Sequence, residues 1–386
     1  MTGETRKRTL VEEFKDAVTV RAVLLVIGVA IIQVAFITSY AGAFHHPVPH
    51  RLPVAVTGPS ADTAKLVAAL NGIAGHPLEA TQVPTVAAGT ARLLRRDVYG
   101  VLVVDPSASS ERLIEASASG VSAAVAVTTV LDQVGASLHR SVVVDDIRPP
   151  SPQDRNSLTS FYLVIGWIVG GYLVASILGI SNGSRPATVH RATVRLTVIA
   201  VYAVVTGFLG ALVVSPILHA LPGHLLALSL LGALTVFCAG AFSMALQVVA
   251  GVIGIGITIL IFVVLGNPSA GGAYSWQLLP GFWRTIGPWI PSGAGTAAAR
   301  GIAYFGGVAI AQNLLVIAFY GVLGIIVTYV VLFDVGHQLI HLPDRARRVG
   351  ESSAAEPTDT TFDTTPDTTG DTTGDTGTGT TTGRTD

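Results

Sequence analysis

The side chains that could hold protons or phosphates are unevenly distributed along the chain. No Asp or Glu occurs between Asp154 and Asp334, and the last lysine is Lys65. Proton-coupled transporters keep a carboxylate or histidine at membrane depth to hold the proton. ATP hydrolysis by a P-loop needs the pattern G-x-x-x-x-G-K-[S/T], which the chain lacks. We therefore expect neither proton-coupled transport nor ATP hydrolysis by this chain alone.

Cysteine and histidine are the other candidates for chemistry. Cys238 is the only cysteine and lies in an apolar run, so an intrachain disulfide is impossible. Metal binding or pH sensing by histidines near the apolar segments is one interpretation, and ordinary residues at a membrane boundary are the other; these histidines are His45, His46, His50, His219 and His224. We predict no catalytic residue, no cofactor and no metal ion, and hence a protein that is not an enzyme.

The composition indicates a membrane protein. Hydrophobic residues make up 50% of the chain and charged residues 12%, with a net charge of −1. A soluble protein carries about twice that share of charge. Between Arg195 and Arg284 there is no charged side chain at all. Ala, Val, Gly and Arg are favoured over Lys, which is typical of a high-GC bacterium, so we expect a bacterial cell (inner) membrane.

Five apolar stretches approach or exceed the roughly 20 residues that a helix needs to cross a bilayer: residues 22–44, 161–180, 196–218, 225–266 and 309–333. The fourth is long enough for two crossings, so we place a break near Ser243 to Gln247 and predict six spans. A cleaved signal peptide is the alternative for the first stretch. Its apolar run is too long for one, and no convincing cleavage site precedes His45.

The basic residues orient these spans. They cluster before the first span, between the second and third, and after the sixth: Arg6, Lys7, Arg8, Lys15 and Arg21; Arg185, Arg191 and Arg195; Arg345, Arg347 and Arg348. Because Lys and Arg are enriched in cytoplasmic loops, six spans place both termini in the cytoplasm. An unsplit fourth stretch would put the last cluster outside.

Residues 45–158 form the long extracytoplasmic part between the first two spans. Their pattern alternates between predicted strands at 52–57, 78–83, 98–104, 113–118 and 141–147 and predicted helices at 61–73, 85–96 and 121–138. Such alternation is typical of an α/β sandwich with a largely parallel sheet. The predicted fold is thus an α-helical membrane bundle of six spans with an inserted extracytoplasmic α/β domain, and the five-span part covers residues 159–345.

The loop 267–300 is rich in proline and tryptophan. Tryptophan prefers the headgroup level of a membrane, and prolines at this spacing forbid one continuous helix. We expect a short, broken segment that lies on the outer face or dips into it. Either it is an interfacial anchor or it is a gate over a substrate path. The residues concerned are Trp276, Trp283, Trp289, Pro280 and Pro291.

The two ends of the chain have their own patterns. Residues 1–21 include an amphipathic stretch at 10–20, which predicts a cytoplasmic interfacial helix. Residues 346–386 are mostly Thr, Asp and Gly toward the end and have few apolar residues to bury, so we predict a disordered cytoplasmic tail.

Two stretches resemble a known family. The first is Ser39-Tyr-Ala-Gly-Ala-Phe-His-His-Pro47 followed by Leu52-Pro-Val-Ala-Val56, and the second is Gly266-Asn-Pro-Ser-Ala-Gly-Gly272 with Leu278-Leu-Pro280 and Trp289-Ile-Pro291. They are similar to YhgE/Pip-like membrane proteins, which are related to type-2 ABC exporter permeases. The resemblance covers roughly residues 10 to 345. The extracytoplasmic domain is much smaller here than in the phage-infection proteins of that group, so a phage-receptor role does not carry over.

The resemblance implies a permease-like subunit of an ABC-type export system, energised by a separate ATPase. The alternative is a non-transporting envelope scaffold or receptor that acts through its extracytoplasmic domain. In type-2 permeases the loop between the second and third spans contacts the ATPase, which assigns Arg185 and Arg191 to docking; orientation and contact with anionic lipid are the alternative. The expected partners are the lipid bilayer, a cytoplasmic ATPase and a second subunit in a homodimer or heterodimer, and no nucleic acid.

Overall fold

The structure, a computed structural model, describes residues 19–181, 183 and 188–353, and leaves the side chains of Arg21 and of residues 334–353 undescribed. Within this part, five helices are long and apolar enough to cross a membrane: Ala22–Phe44, Thr159–Ser181, Val189–Ile217, Leu225–Ala250 and Ala311–Phe333. The chain is a multi-pass membrane protein.

Residues 45–158, here called the α/β region, follow helix α1 (Val20–Phe44). Their elements are β1 (Leu52–Thr57), α2 (Ser60–Asn71), β2 (Leu78–Gln82), α3 (Val86–Leu94), β3 (Gly100–Val103), β4 (Ser110–Glu115), α4 (Val121–Ser137) and β5 (Ser141–Asp146). The sheet order is β2-β1-β3-β4-β5, and every neighbouring pair is parallel except β3 and β4. The predicted largely parallel sheet is present.

The fourth strand lies earlier than expected. It ends at Glu115, whereas the sequence pattern placed it at 113–118, because residues Ser117–Ser119 form a short 3₁₀ turn that leads into α4. Both faces of the sheet are covered. Leu70 and Leu131 of α2 and α4 pack on one face, and Leu93 of α3 packs on the other. Because both faces of the sheet are covered, successive side chains of the central strands β1 and β3 are mostly buried, and these strands are nearly continuous apolar runs.

The membrane helices follow the α/β region: α5 (Thr159–Ser181), α6 (Val189–Leu212, extended by a π-helical turn Val213–Ile217), α7 (Leu225–Ala250), α8 (Ile253–Ile259, extended by a π-helical turn Leu260–Leu265), α9 (Gly281–Ile286), α10 (Pro291–Phe305) and α11 (Ala311–Ser353). Helix α7 lies at the centre. Gly207 of α6 meets Gly232 of α7, and a side chain at Gly171 of α5 would overlap the carbonyl of Val236. Small residues allow this close approach of helices.

The break in the fourth apolar stretch lies later than the sequence suggested. The prediction of a break near Ser243 to Gln247 is wrong, because α7 continues to Ala250 and the chain turns at Gly251 with φ of +62°. Ser243 and Gln247 lie within α7, and Ser243 also contacts α8: the hydroxyl of Thr258 donates to that of Ser243 at 3.3 Å, and the amide of Gln247 donates to it at 3.2 Å.

Residues 253–265, the return segment, run antiparallel to α7. Thr258 pairs with Ser243, and the rings of Phe262 and Phe242, further from the turn on both arms, are 5.7 Å apart. The return segment is shorter than the five long helices. At its far end the carbonyl of Val264 accepts a hydrogen bond from Ser39 of α1.

Helix α11 extends beyond its apolar part to Ser353. Residues 346–353, which we predicted to be disordered, are therefore helical. Ala and Arg, which recur at 345–348, are among the strongest helix formers. The rest of the predicted tail, from residue 354, and most of the predicted interfacial helix at 1–21 lie outside the described residues. The described residues 337–353 belong to a second compact unit.

Candidate functional site

Residues 266–305, here called the junction segment, connect the return segment to α11 and contact the α/β region. The backbone N–H of Ser275 donates to the hydroxyl of Ser122 at 3.0 Å, and Tyr99 donates to the side chain of Gln277 at 2.8 Å. The carbonyl of Gln277 also accepts from the backbone of His50 at 2.9 Å. The α/β region therefore rests directly on the junction segment. The end of the bundle where this happens is called the α/β end below.

After these contacts the junction segment turns back along α1. Pro280 precedes α9, whose Trp283 donates its indole N–H to the hydroxyl of Ser39 at 3.2 Å. The ring of Trp283 also fills the space beside Gly42, where a side chain would clash with it. This helix is thus fixed against the last turns of α1.

Helix α10 then runs from within the bundle to the α/β end. Pro291 occupies its first turn, where its missing N–H costs nothing. The carbonyl of Trp289, just before it, accepts from Tyr320, which lies about 13 Å along α11 from Ala311. Thirteen of the fifteen residues of α10 are buried. We call α10 re-entrant because it starts inside the bundle and returns to the α/β end; its fifteen residues are fewer than the roughly 20 that a crossing needs.

The three tryptophans of the junction segment occupy different environments. Trp276 is partly buried and donates to the carbonyl of Ser269 at 2.9 Å, and Trp283 is held by Ser39. Trp289 is 60% exposed. Pro280 directly precedes α9, and Pro291 is the first residue of α10. If the three tryptophans anchored the segment at one membrane level, their rings would have similar surroundings. Of the three, only the side chain of Trp289 is largely exposed.

Two arginines join the α/β region to α10. Nη1 of Arg96 donates to the carbonyl of Ala297 at 2.9 Å, and its Nη2 donates to the carbonyl of Val308 at 2.7 Å. Arg300, on α10, is 6% exposed, and its guanidinium donates to the carbonyls of Gly271 at 2.8 Å and of Ser157 at 3.0 Å. Backbone carbonyls, which carry no net charge, thus hold both guanidinium groups.

A cavity of about 250 Å³ lies where these groups meet. The α/β region, the junction segment and the start of α11 all contribute to its wall, which includes Arg95, Arg96, Tyr99, Ser119, Ser275, Trp276, Arg300, Gln312 and Asn313. Of the residues that the structure describes, three arginines and no carboxylate line it. One of these arginines, Arg95, pairs with Asp97 at 3.3 Å, whereas Asp154 accepts from the backbone at the start of α5.

Burial has an electrostatic effect on the groups around this cavity. It lowers the pKa of Arg300, against the opposing effect of Tyr99 and Asp154, and it lowers the pKa of Arg96, against that of Asp97. Both arginines remain cationic, because a guanidinium is not deprotonated in a protein. The direction of these shifts records that two positive charges are held with little water around them.

No family model, curated protein or solved structure matches the chain.

A second cavity, of about 350 Å³, lies beside α1 and is lined by His45, His46, His50 and Arg284. Burial and then Arg284 lower the pKa of His50. Among the described residues no group of three or more His, Cys, Asp or Glu side chains is placed to hold a metal ion. The clustered histidines thus meet an arginine rather than a carboxylate.

Of the two residues assigned to partner docking, the structure describes only Arg191, which lies far from both cavities. Arg185 is outside the described residues. Arg191 is exposed in the first turn of α6, where Thr188 caps the helix by accepting from the backbone N–H of Arg191 at 3.2 Å. Helix α5 leaves the α/β end and α6 returns to it, so Arg191 lies at the opposite end of the bundle.

Sequence analysis missed the arginines of the first cavity. Arg95 and Arg96 precede Arg300 by some two hundred positions in the chain, and each alone resembles an ordinary surface or interface residue. One signal was available: Arg300 is the only charged residue between Arg284 and Asp334. A lone charge in a helix of small apolar residues needs a specific partner or a function.

Proposed function

We propose that the chain is a permease-like subunit of an ABC-type export system, energised by a separate ATPase in a bacterial cell membrane. In this proposal the return segment is the sixth crossing, the α/β region is extracytoplasmic and both termini are cytoplasmic. The proposal builds on the resemblance of the two stretches around residues 39–56 and 266–291 to YhgE/Pip-like proteins.

The alternating direction of the helices supports six crossings. The ends of α1 and α6 and the starts of α5, α7 and α11 all lie at the α/β end, where the hydroxyl of Ser151 donates to the carbonyl of His219 at 3.0 Å. Helix α7 leaves that end, so the chain must return to it before α11 begins. The return segment supplies this passage. Short crossings are tolerated where protein rather than lipid surrounds the backbone.

The observation that carries the proposal is the re-entrant helix α10. It touches the bundle through Gly295, whose neighbour is Val164 of α5, and it touches the α/β region through Arg96. Its first half is Pro-Ser-Gly-Ala-Gly-Thr-Ala-Ala, residues 291–298, whose small side chains allow sliding between two packed states. A buried helix that contacts both parts can link a change in the bundle to the α/β region, as transport requires.

The opposite end of the bundle is the proposed ATPase contact. Arg191 is exposed there, and the loop before it contains Arg185. Two basic residues in a short loop can pair with acidic side chains of a partner protein, and they can also meet anionic lipid at about 1 kcal/mol each. We assign them to the ATPase.

A pull-down of the tagged chain from its own cells in a mild detergent tests the proposal. We expect a nucleotide-binding subunit to co-purify, and the double variant Arg185→Gln/Arg191→Gln to recover much less of it at unchanged expression. The matched control is Arg92→Gln/Arg112→Gln in the α/β region, which should recover the normal amount. Absence of any nucleotide-binding subunit from the wild-type sample contradicts the proposal.

One observation favours the second candidate, an envelope scaffold or receptor. Strand β5 is an edge of the sheet, and its Val143 and Val144 are 54% and 41% exposed. An open edge strand can pair with a strand of another protein. Recovery of an envelope protein in place of an ATPase, and its loss in Val143→Pro, would favour this candidate.

A further inference from the structure

We propose that the cavity between the α/β region and the junction segment binds the phosphate group of an anionic ligand, with Arg95, Arg96 and Arg300 as its cationic wall. Binding at this cavity does not depend on an ATPase partner, so this proposal and the export proposal can be tested independently.

Charge balance is the first argument. Among the described residues neither Arg96 nor Arg300 has a carboxylate within 4.0 Å, and the Nε of Arg300 is buried without any hydrogen-bond partner. Buried charges are normally paired, because removing an ion from water is costly. An anion in the cavity would supply the missing counter-charge. Asp154 offsets Arg300 only from a distance, since its oxygens accept from the backbone of Leu158 and Thr159.

The geometry of the donors is the second argument. Arg95 and Ser119 come from the α/β region, Arg300 comes from α10, and Gln312 and Asn313 come from the start of α11. The side chains of Ser119, Gln312 and Asn313 make no hydrogen bond to another described residue. Donors that converge from several directions suit a tetrahedral phosphate, which offers oxygens on every side, better than a planar carboxylate with two. Arginine is also the side chain that best matches phosphate.

Position is the third argument, and it leaves two sources of phosphate. Gln312 and Asn313 begin the apolar helix α11, so the cavity lies at the level where lipid headgroups are found. A phospholipid headgroup and a soluble phosphate both fit its volume of about 250 Å³. Both sources present the same phosphate oxygens to the arginines, and the experiment below distinguishes a lipid from a soluble ligand.

The test uses the full-length chain in nonionic detergent after delipidation. Titration calorimetry with sodium phosphate, against sodium acetate at equal ionic strength, measures the soluble source. Native mass spectrometry with added phosphatidylglycerol, against phosphatidylcholine, measures the lipid source. Three variants are compared with wild type: Arg300→Gln, Arg95→Glu at a site whose side chain is 64% exposed, and the control Arg112→Glu, elsewhere on the α/β region and 57% exposed.

We expect saturable binding in at least one arm, weakened about tenfold or more by Arg95→Glu, since one charge-assisted hydrogen bond is lost and a repulsion is added. Arg112→Glu should bind normally. Arg95→Glu keeps the test valid if Arg300→Gln does not fold. Binding to phosphate alone identifies a soluble ligand, and selective retention of phosphatidylglycerol identifies a lipid. No binding in either arm, binding indifferent to Arg95→Glu, or equal binding of acetate would overturn the proposal.

Discussion

The guanidinium carbon of Arg96 lies 5.5 Å from the centre of the Phe305 ring. Arg96 follows α3 in the α/β region, whereas Phe305 is the last residue of the re-entrant helix α10. Phe305 also packs with Val101 and Ile114 of the sheet, so the junction segment completes one face of the α/β core. The two parts share a hydrophobic core as well as hydrogen bonds, and we expect them to move together.

Removing the Arg96 side chain should loosen this contact. Arg96→Ala deletes donors to the carbonyls of Ala297 and Val308 together with the cation–π contact. We expect a loss of about 2–4 kcal/mol in the free energy of unfolding. The readout is a lower apparent melting temperature of the full chain in detergent. Arg112→Ala, which removes an exposed ion pair with Asp145, should cost less than about 1 kcal/mol. Equal losses in the two variants would contradict the role given to Arg96.

The close approach of α5 and α7 predicts a contrast between two glycines on one helix. A side chain at Gly171 would overlap the carbonyl of Val236, whereas a side chain at Gly166 would have no atom of the described residues within 4 Å. Gly171→Val should therefore destabilise the bundle by about 1–3 kcal/mol or more, and Gly166→Val should melt like the wild type. Thermal unfolding of the two variants in the same detergent decides this. A Gly166→Val protein as unstable as Gly171→Val would contradict the packing of α5 on α7 through the face that carries Gly171.

Sequence reasoning succeeded where one physical signal dominates. Alternating apolar strands and helices identified the elements of the α/β region, and unbroken apolar runs identified the long helices. It failed where tertiary contacts decide. Ser243 and Gln247 resemble a polar break in the sequence, but they hydrogen-bond to each other within α7. The chain instead turns at Gly251, which lies in a run that is apolar on both sides. The arginine-lined cavity joins residues too distant in sequence for any local pattern to connect Arg96 with Arg300.

The buried carboxyl of Glu115 predicts a pH dependence of stability. Burial and then the neighbouring Asp146 raise the pKa of Glu115, while a hydrogen bond from Thr128 at 3.3 Å opposes the rise. The folded chain therefore binds this proton more tightly than the unfolded chain does, so the contribution of Glu115 to stability improves as the pH falls through the raised pKa. Glu115→Gln should be more stable than wild type at pH 7.5.

The advantage of Glu115→Gln should shrink as the pH is lowered and vanish near the ordinary pKa of a glutamate. Apparent melting temperatures of both proteins between pH 7.5 and about pH 4 provide the measurement. A glutamine variant that is less stable than wild type at pH 7.5 would mean that the charged carboxylate is favoured in the fold.

The proposed topology can be tested by cysteine labelling in a Cys238→Ala background. Ser107 is exposed in the loop between β3 and β4 of the α/β region, whereas Ser181 is exposed at the end of α5 that lies away from the α/β region. In intact cells we expect an impermeant maleimide to label Ser107→Cys but not Ser181→Cys or Ser352→Cys. Labelling of Ser352→Cys from outside would exclude the return segment as a sixth crossing.

The docking of the α/β region on the junction segment is the central claim, and a designed disulfide tests it most directly. The hydroxyl oxygens of Ser122 and Ser275 are 3.4 Å apart, close enough for two cysteines to bond after a small rotation. In membranes containing Ser122→Cys/Ser275→Cys/Cys238→Ala we expect rapid, near-complete cross-linking under mild oxidation. The control pair Ser107→Cys/Ser275→Cys should not cross-link. Tyr99, which contacts Gln277 near Ser275, precedes β3, whereas Ser107 follows the opposite end of that strand. Failure of the Ser122–Ser275 pair to form, or equal cross-linking of the control, would contradict the docked arrangement.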